Sequence, residues 1–338
     1  MYKIALITGD GIGPELSESV IDVLDTINDK MGVKVQITKV QAGDAALKKT
    51  GKALPDETLD EIKRSDACLK APVGESAADV IVVLRRLLDL YANIRPAKSY
   101  PNMPALKENI DMVIVRENTE DLYTGMEFDV GDTTIALRSI SKRASERIAR
   151  HAFVTAEQRN DKRKVTCVHK SNVMRKTDGL FARTCEQVSK DYPKVTFEHM
   201  YVDACAMNLI RQPEAFDVVV TTNLFGDILS DEASQVVGGL GMAPAANIGD
   251  KFALFEPVHG AAFDIAGKQV ANPSSFILSA KMMFEWLGIK NNDKTCQSVA
   301  KSIESAVYGI VKNGIKTKDI GGNKSTKEFT QNVISRIT

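Results

Sequence analysis

Short apolar, β-branched runs alternate along the chain with longer stretches whose apolar residues recur at helical spacing. "KIALIT" precedes a helical stretch from Pro14 to Lys30, "KVQITKV" follows, and "DACLKAP" runs into "ADVIVVLRRLLDLYA". This βα alternation predicts a largely parallel sheet with helices on its faces. A second series follows: "IDMVIVRE", a helix from Lys142 to Arg159, "KVTCVHK", a helix after Asp178, and "FDVVVTTN" leading into a helix that carries Asp227. Between "ENTEDLYTG" and "RSISKRAS", the segment "MEFDVGDTTIALRS" alternates around turn residues and reads as a hairpin projecting from the body. From Pro273 onward the pattern is mostly helical, with "KMMFEWLG" and "AVYGIVKNG" each ending at a glycine stop. "FEPVHGAAFDIAGKQVANP", Phe255 to Pro273, fits neither period. Its glycine punctuation marks a long loop, and its apolar content favours function over disorder.

With 338 residues, 43% of them hydrophobic, the chain can form two ordinary domains or one large α/β domain without disulfide or metal staples. Lysine plus arginine balances aspartate plus glutamate at 44 each, so no global field draws it to nucleic acid or an anionic membrane. Cys68, Cys167, Cys185, Cys205 and Cys296 are scattered, odd in number and without zinc-ligand spacing. They read as free thiols in a reducing compartment. The apolar core of "MYKIALITGDGIG" is too short for a signal sequence, and no stretch reaches membrane-spanning length. The expectation is a cytoplasmic protein.

Several segments carry candidate chemistry. "TGDGIGPE" follows a strand and opens a helix, but its GxGxG spacing departs from the dinucleotide fingerprint, and a tight turn with proline at the helix start is the simpler reading. Arg85, Arg95 and Arg116 each stand at an element end or beside a turn. Single arginines are usually solvated, whereas three together can clamp a substrate with several carboxylates through planar two-point contacts. Lys170 ends a strand, either reaching water or serving as a base if cations lower its pKa. Asp227 and Asp231, four residues apart, share a helix face. They either favour the helix dipole or, with Asp203 as a third carboxylate, hold Mg²⁺ or Mn²⁺. In the long loop, His259 and Asp264 can meet a nucleotide, although a lone histidine is more often structural.

Taken together, "GDGIGPE", "LRRLLDLYANIRP", "VIVRENTEDLYTG", "VHKSNVM", "NLFGDILSDEAS", "GGLGMAPAANIG" and "EPVHGAAFDIAGKQVANP" resemble the β-decarboxylating dehydrogenases of isopropylmalate, isocitrate, homoisocitrate and tartrate/malate, in order and over nearly the whole chain. The archaeal isopropylmalate branch is the nearest in pattern. The resemblance implies a two-domain α/β fold that is not a Rossmann fold, with mixed sheets and helices on both faces. Residues 1–97 plus 245–338 would form the cofactor-binding domain. Residues 98–244 would form the substrate, metal and dimerisation domain, with an intersubunit arm near 127–137. It also implies roles: Arg85, Arg95 and Arg116 clamp the substrate, and Asp227 and Asp231 bind the metal with Asp203 of the other subunit. Lys170, also from that subunit, is the base, and Tyr123 protonates the product enolate. Asn172, Glu256, His259, Gly260, Asp264, Ile265 and Asn272 bind the cofactor. NADP-dependent members carry lysine and tyrosine where Asp264 and Ile265 stand, so the resemblance favours NAD.

Substrate choice turns on the helix before Arg85. Isocitrate enzymes place serine and asparagine at the positions of Asp79 and Ile81, and bacterial homoisocitrate enzymes place arginine at that of Val82. Ile81 and Val82 offer an apolar wall that cannot compensate a third carboxylate but suits an isopropyl group. The expectation is NAD- and metal-dependent oxidative decarboxylation of 3-isopropylmalate to 4-methyl-2-oxopentanoate in leucine biosynthesis, by a homodimer or a larger assembly such as a tetramer. Ala78 departs from the glutamate of many bacterial isopropylmalate enzymes, which keeps isocitrate or homoisocitrate as the alternative. A noncatalytic subunit is disfavoured because every catalytic position is filled.

Overall fold

A computed structural model describes residues 1–338. Its strands are β1 (Tyr2–Ile7), β2 (Val35–Val40), β3 (Ala67–Lys70), β4 (Ala92–Lys98), β5 (Asp111–Glu117), β6 (Glu127–Val130), β7 (Thr133–Ala136), β8 (Lys164–His169), β9 (Thr196–Tyr201), β10 (Val218–Thr221), β11 (Pro244–Ile248) and β12 (Ala253–Pro257). Ten of them form one sheet in the order β2-β1-β3-β12-β11-β4-β5-β10-β8-β9, and β6 pairs only with β7. Both series of βα units give parallel pairs, as their alternation predicts. The centre is antiparallel, because β11 joins β12 and β4, and β4 joins β5. Strands from the two chain ends thus occupy one half of the sheet, and strands from the middle segment the other.

Helices cover both faces. β1, β3 and β10 are buried along most of their length, which explains their continuous apolar runs. The largest core cluster includes the apolar faces of helices Gly13–Lys30, Ser274–Lys290 and Lys294–Lys312. The hairpin β6–β7 stands away from the body, with Phe128 and Val130 exposed.

Two local expectations need correction. Gly288 does not stop its helix, which runs on to Lys290. A Cβ there would approach Asp293 O at 3.0 Å and Gln297 Cγ at 2.9 Å, so glycine admits the chain that turns into the next helix. The long loop also begins later than expected, since Phe255–Pro257 belongs to β12. The other glycine signal holds: Gly314 follows the helix ending at Lys312 and has φ +75°.

The glycine turn after β1 is a close-packed structural joint. Gly9 and Gly11 have φ of +67° and +57°, and a Cβ on either would come within 2.0 Å of a backbone oxygen, of Pro72 and Ala261 respectively. Asp10 between them accepts backbone N–H bonds from Asp44, Ala45 and Gly74. Asp44 in turn accepts from Glu75 and Ser76, which fixes the entry to the helix Ala77–Leu87 that carries Ile81, Val82 and Arg85.

Candidate active site

The carboxyl ends of the parallel strands β5, β10, β8 and β9 lie at one edge of the sheet, where open α/β sheets place their ligands. Arg116 sits near the end of β5, Lys170 directly follows β8, and Asp203 follows β9. The helix Asn223–Val236 leaves β10 after Thr222 and carries Asp227 and Asp231 on one face. Gly226 in its first turn makes room for Arg116: a Cβ there would sit 2.5 Å from Arg116 Cγ.

The structure brings the three arginines, Tyr123, Asp227 and Asp231 together within one chain. Arg116 and Tyr123 each donate to the Asp227 carboxylate, on separate oxygens. Arg95 lies 3.4 Å from Asp227 and 3.1 Å from Asp231, and the Arg116 guanidinium carbon is 4.9 Å from the centre of the Tyr123 ring. Arg85 is buried beside them, facing Glu256 at 3.5 Å. Burial pushes the Arg116 pKa down to about 9, and the charges of Arg95 and Arg85 add to the effect. This crowding of positive charge favours a ligand with more than one carboxylate. Burial alone would raise the Asp227 pKa, but Arg116 and Arg95 outweigh it and hold the carboxyl below its ordinary range. Asp231, which is less fully paired, is raised by burial, and Asp227 nearby adds to the rise. Two carboxylates on one face, without sulfur or nitrogen donors, suit a hard divalent ion such as Mg²⁺ or Mn²⁺.

Lys170 and Asp203 do not join this group within the chain. They pair with each other, with side-chain exposures of 26% and 60%, and Lys170 Nζ lies 6.0 Å from the Tyr201 ring centre. Asp178, fully buried, accepts the Lys170 backbone N–H at 2.6 Å and fixes the turn. Asn172 is exposed on that turn. Asp203, Met207 and Ile210 share one face of the helix Val202–Arg211, which packs beside the helix Asn223–Val236. Met207, Ile210 and, on the neighbouring helix, Ile228 are 64%, 56% and 59% exposed, apolar side chains left uncovered within the chain.

A cavity of about 380 Å³ is lined by Ile12, His259, Gly260, Ile265, Asn272 and Asp319, among others. It gathers four of the expected cofactor residues. Asp264 stands exposed on the same loop. Glu256 lies instead beneath the clamp: its carboxylate accepts from Lys70 at 2.8 Å and from Asn247 at 2.8 Å. Burial opposes ionisation of Glu256, yet Lys70 and Arg85 bring its pKa down to about 2.

Several neighbours escaped the sequence reading. Asp319, in the C-terminal segment, lines the cavity and accepts the Asn272 N–H at 2.8 Å. Asn93, Asn223 and Asn247 contact the clamp arginines. All three lie inside motifs the sequence shows, and Asn93 stands two residues from Arg95, the spacing that puts both on one face of a strand. Cys167, His169 and His199 also cluster, as metal ligands do. Ser171 N–H donates to His169 Nδ1 at 3.3 Å, which leaves the ring proton on Nε2 to meet His199 Nδ1 at 3.1 Å. The cluster is accounted for as a hydrogen-bonded imidazole pair.

Comparison with known proteins places this geometry. The profile of the isocitrate/isopropylmalate dehydrogenase family matches residues 3–333. The chain is 52% identical over 334 residues to the 3-isopropylmalate dehydrogenase of Saccharolobus solfataricus, covering 98% of each chain. It is 45% identical over 342 residues to the isocitrate/homoisocitrate dehydrogenase of Thermus thermophilus, covering 99% of this chain and 98% of the relative. The crystal structure of isocitrate dehydrogenase from Methylococcus capsulatus superposes with a TM-score of 0.91 at 41% identity, over 100% of this chain and 99% of that one. The chain belongs to the isocitrate/isopropylmalate dehydrogenase family.

Proposed function

We propose that the protein is a homodimeric, NAD- and divalent-metal-dependent 3-isopropylmalate dehydrogenase acting in the cytoplasm in leucine biosynthesis. The observation that carries the reading is the gathering of Arg85, Arg95 and Arg116 around Asp227 and Tyr123, with the apolar Ile81 and Val82 one turn before Arg85. Ile81 and Val82 precede Arg85 by four and three residues on the helix Ala77–Leu87, and so lie on its side. Three guanidiniums match the two carboxylates of a malate-type substrate, and the apolar pair matches an isopropyl substituent.

In this reading, residues 98–244 form the substrate and dimerisation domain, and residues 1–97 with 245–338 form the cofactor domain. The exposed Met207, Ile210 and Ile228 support dimerisation, with the hairpin as an arm. A two-fold pairing on this surface brings the Lys170 and Asp203 of one subunit to the Asp227 and Asp231 of the other. The cavity at His259, Gly260, Ile265 and Asn272 takes the adenosine half of NAD, with Asp264 disfavouring a 2′-phosphate and Asn172 near the nicotinamide.

NAD bound at His259, Gly260, Ile265 and Asn272 would supply the hydride acceptor, and a divalent metal held by Asp227 and Asp231 with Asp203 of the other subunit would supply Lewis-acid polarisation. The arginines hold the two carboxylates in register for both steps. Lys170 takes the hydroxyl proton as the C2 hydride leaves. The bond from C3 to its carboxylate then breaks, CO₂ departs, and the electron pair forms the enolate. Tyr123 gives its proton to C3 of that enolate, and its hydrogen bond to Asp227 orients the hydroxyl.

The test is kcat/KM with NAD and Mg²⁺ on 3-isopropylmalate, isocitrate, homoisocitrate and malate in parallel. A clear preference for 3-isopropylmalate is expected. Equal or better turnover of a tricarboxylate contradicts the apolar wall and favours the isocitrate/homoisocitrate activity named for the Thermus relative.

A further inference from the structure

Each of the three clamp arginines donates its Nε–H to the side-chain oxygen of an asparagine. Arg85 meets Asn247 at 3.0 Å, Arg95 meets Asn93 at 3.0 Å, and Arg116 meets Asn223 at 2.9 Å. All three asparagines are buried, and they come from different places: β4, β11 and the start of the helix after β10. Buried charges are ordinarily matched by opposite charges, because desolvation is costly. Here the carboxylates of Glu256, Asp227 and Asp231 meet only the terminal guanidinium nitrogens, and at Nε the anchor is neutral in all three.

The asparagine amides are themselves held with their oxygens toward the arginines. Asn93 and Asn247 are register partners across β4 and β11, and Asn93 Nδ2 donates to Asn247 Oδ1 at 2.8 Å. Asn118 Nδ2 donates to the same oxygen at 3.0 Å, while Asn247 Nδ2 donates to Glu256 at 2.8 Å. Asn223 Nδ2 donates to the carbonyl of Glu120 at 3.1 Å, and its oxygen accepts from both Nε and Nη2 of Arg116. Two of the anchors thus form one unit, and the third is fixed separately.

We propose that Asn93, Asn223 and Asn247 are positioning residues that orient the clamp arginines at Nε through neutral acceptors, adding no negative charge to that of Glu256, Asp227 and Asp231 and so preserving the site's attraction for substrate carboxylates. This rests on the arginines being the substrate clamp. An aspartate in the same place would still accept the Nε–H but would cancel much of the arginine's charge, at the cost of the amide donation to the Glu120 carbonyl (Asn223) or to Asn247 (Asn93), so charge can be tested against geometry by comparison with the alanine variant.

The variants are Asn223→Asp, Asn223→Ala and Asn93→Asp, compared with Arg116→Ala. Each is assayed with 3-isopropylmalate and NAD for the two Michaelis constants and kcat, and its Tm is measured. Asn223→Asp is expected to raise the KM for the hydroxy diacid roughly tenfold to a hundredfold, the scale of losing one charged hydrogen bond, with KM for NAD close to wild type and Tm lowered no further than in Asn223→Ala. Asn223→Ala releases the guanidinium and lowers kcat as well. Wild-type KM in Asn223→Asp overturns the inference, and Asn93→Asp decides by the same criterion if Asn223→Asp does not fold. A lowered Tm in both aspartate variants with unchanged KM assigns the asparagines a purely structural role, which also overturns it. If Arg116→Ala itself leaves KM unchanged, the clamp reading fails. If Arg116→Ala raises KM while the aspartate variants do not, only the asparagine proposal falls.

Discussion

The two halves of the proposed site differ in how far one chain completes them. The half around Arg85, Arg95, Arg116 and Asp227 is enclosed, with every arginine paired and Arg116 fully buried. The half at Lys170 and Asp203 lies in the open, its two side chains ion-paired with each other and bordered by exposed methionine and isoleucine. In the proposed mechanism, recognition is therefore built into the folded subunit, whereas proton transfer would wait for a second one. The difference also divides the physics. Burial makes each charge in the clamp strong and specific, while the exposed pair is screened by solvent and, in the proposed dimer, would become dry only on assembly.

Breaking the apolar surface should have the largest effect. Ile228→Asp with Met207→Asp is expected to give monomers with intact far-UV circular dichroism and activity at or below that of Lys170→Ala, read by sedimentation velocity and turnover. Fully active monomers would erase the contrast between the halves. Lys170→Ala in the intact dimer is expected to lower kcat by roughly 10² to 10⁴, the range of a lost general base, with KM little changed. Full activity would remove Lys170 from the mechanism. On the enclosed side, Gly226→Ala pushes into the Arg116 stem and is expected to raise the substrate KM about tenfold or more while leaving the dimer intact.

The smallest expected effect concerns pH. The folded-state pKa of Glu256 is depressed from the ordinary 4.5 to about 2, so its stabilisation is present above 4.5 and is lost as pH falls toward about 2. Glu256→Gln should flatten the decline in Tm between pH 5 and 3 relative to wild type. An unchanged slope would mean that other carboxylates dominate the acid response.

Much of this organisation is legible in the sequence, for identifiable reasons. Parallel strands buried on both faces read as apolar runs, and amphipathic helices keep their period, so the βα series and the projecting hairpin can be read from the chain. β4 hides because it carries Asn93, Arg95 and Pro96 where a strand is expected to be apolar. Proline is tolerated there since the pairing of β4 with β11 covers Ala92–Ile94 and stops before Pro96. Gly288 misleads because a glycine admitting a close neighbour has the same local signature as a helix stop. Among the site residues, charged side chains draw notice individually, and the family resemblance supplies their roles. The asparagines beneath the clamp carry no charge and only general polarity, so their function appears once three elements place them against three arginines.

The central claim is that each site is completed by the other subunit. Co-expression of Lys170→Ala with Asp227→Asn, each inactive alone, tests it most directly. In a mixed dimer the Lys170→Ala chain supplies an intact Asp227, and its partner supplies an intact Lys170, so one site of two is whole. Random pairing makes half the dimers mixed, so recovery of about a quarter of wild-type activity is expected for a two-fold assembly with shared sites. Activity no higher than that of either variant alone would contradict it.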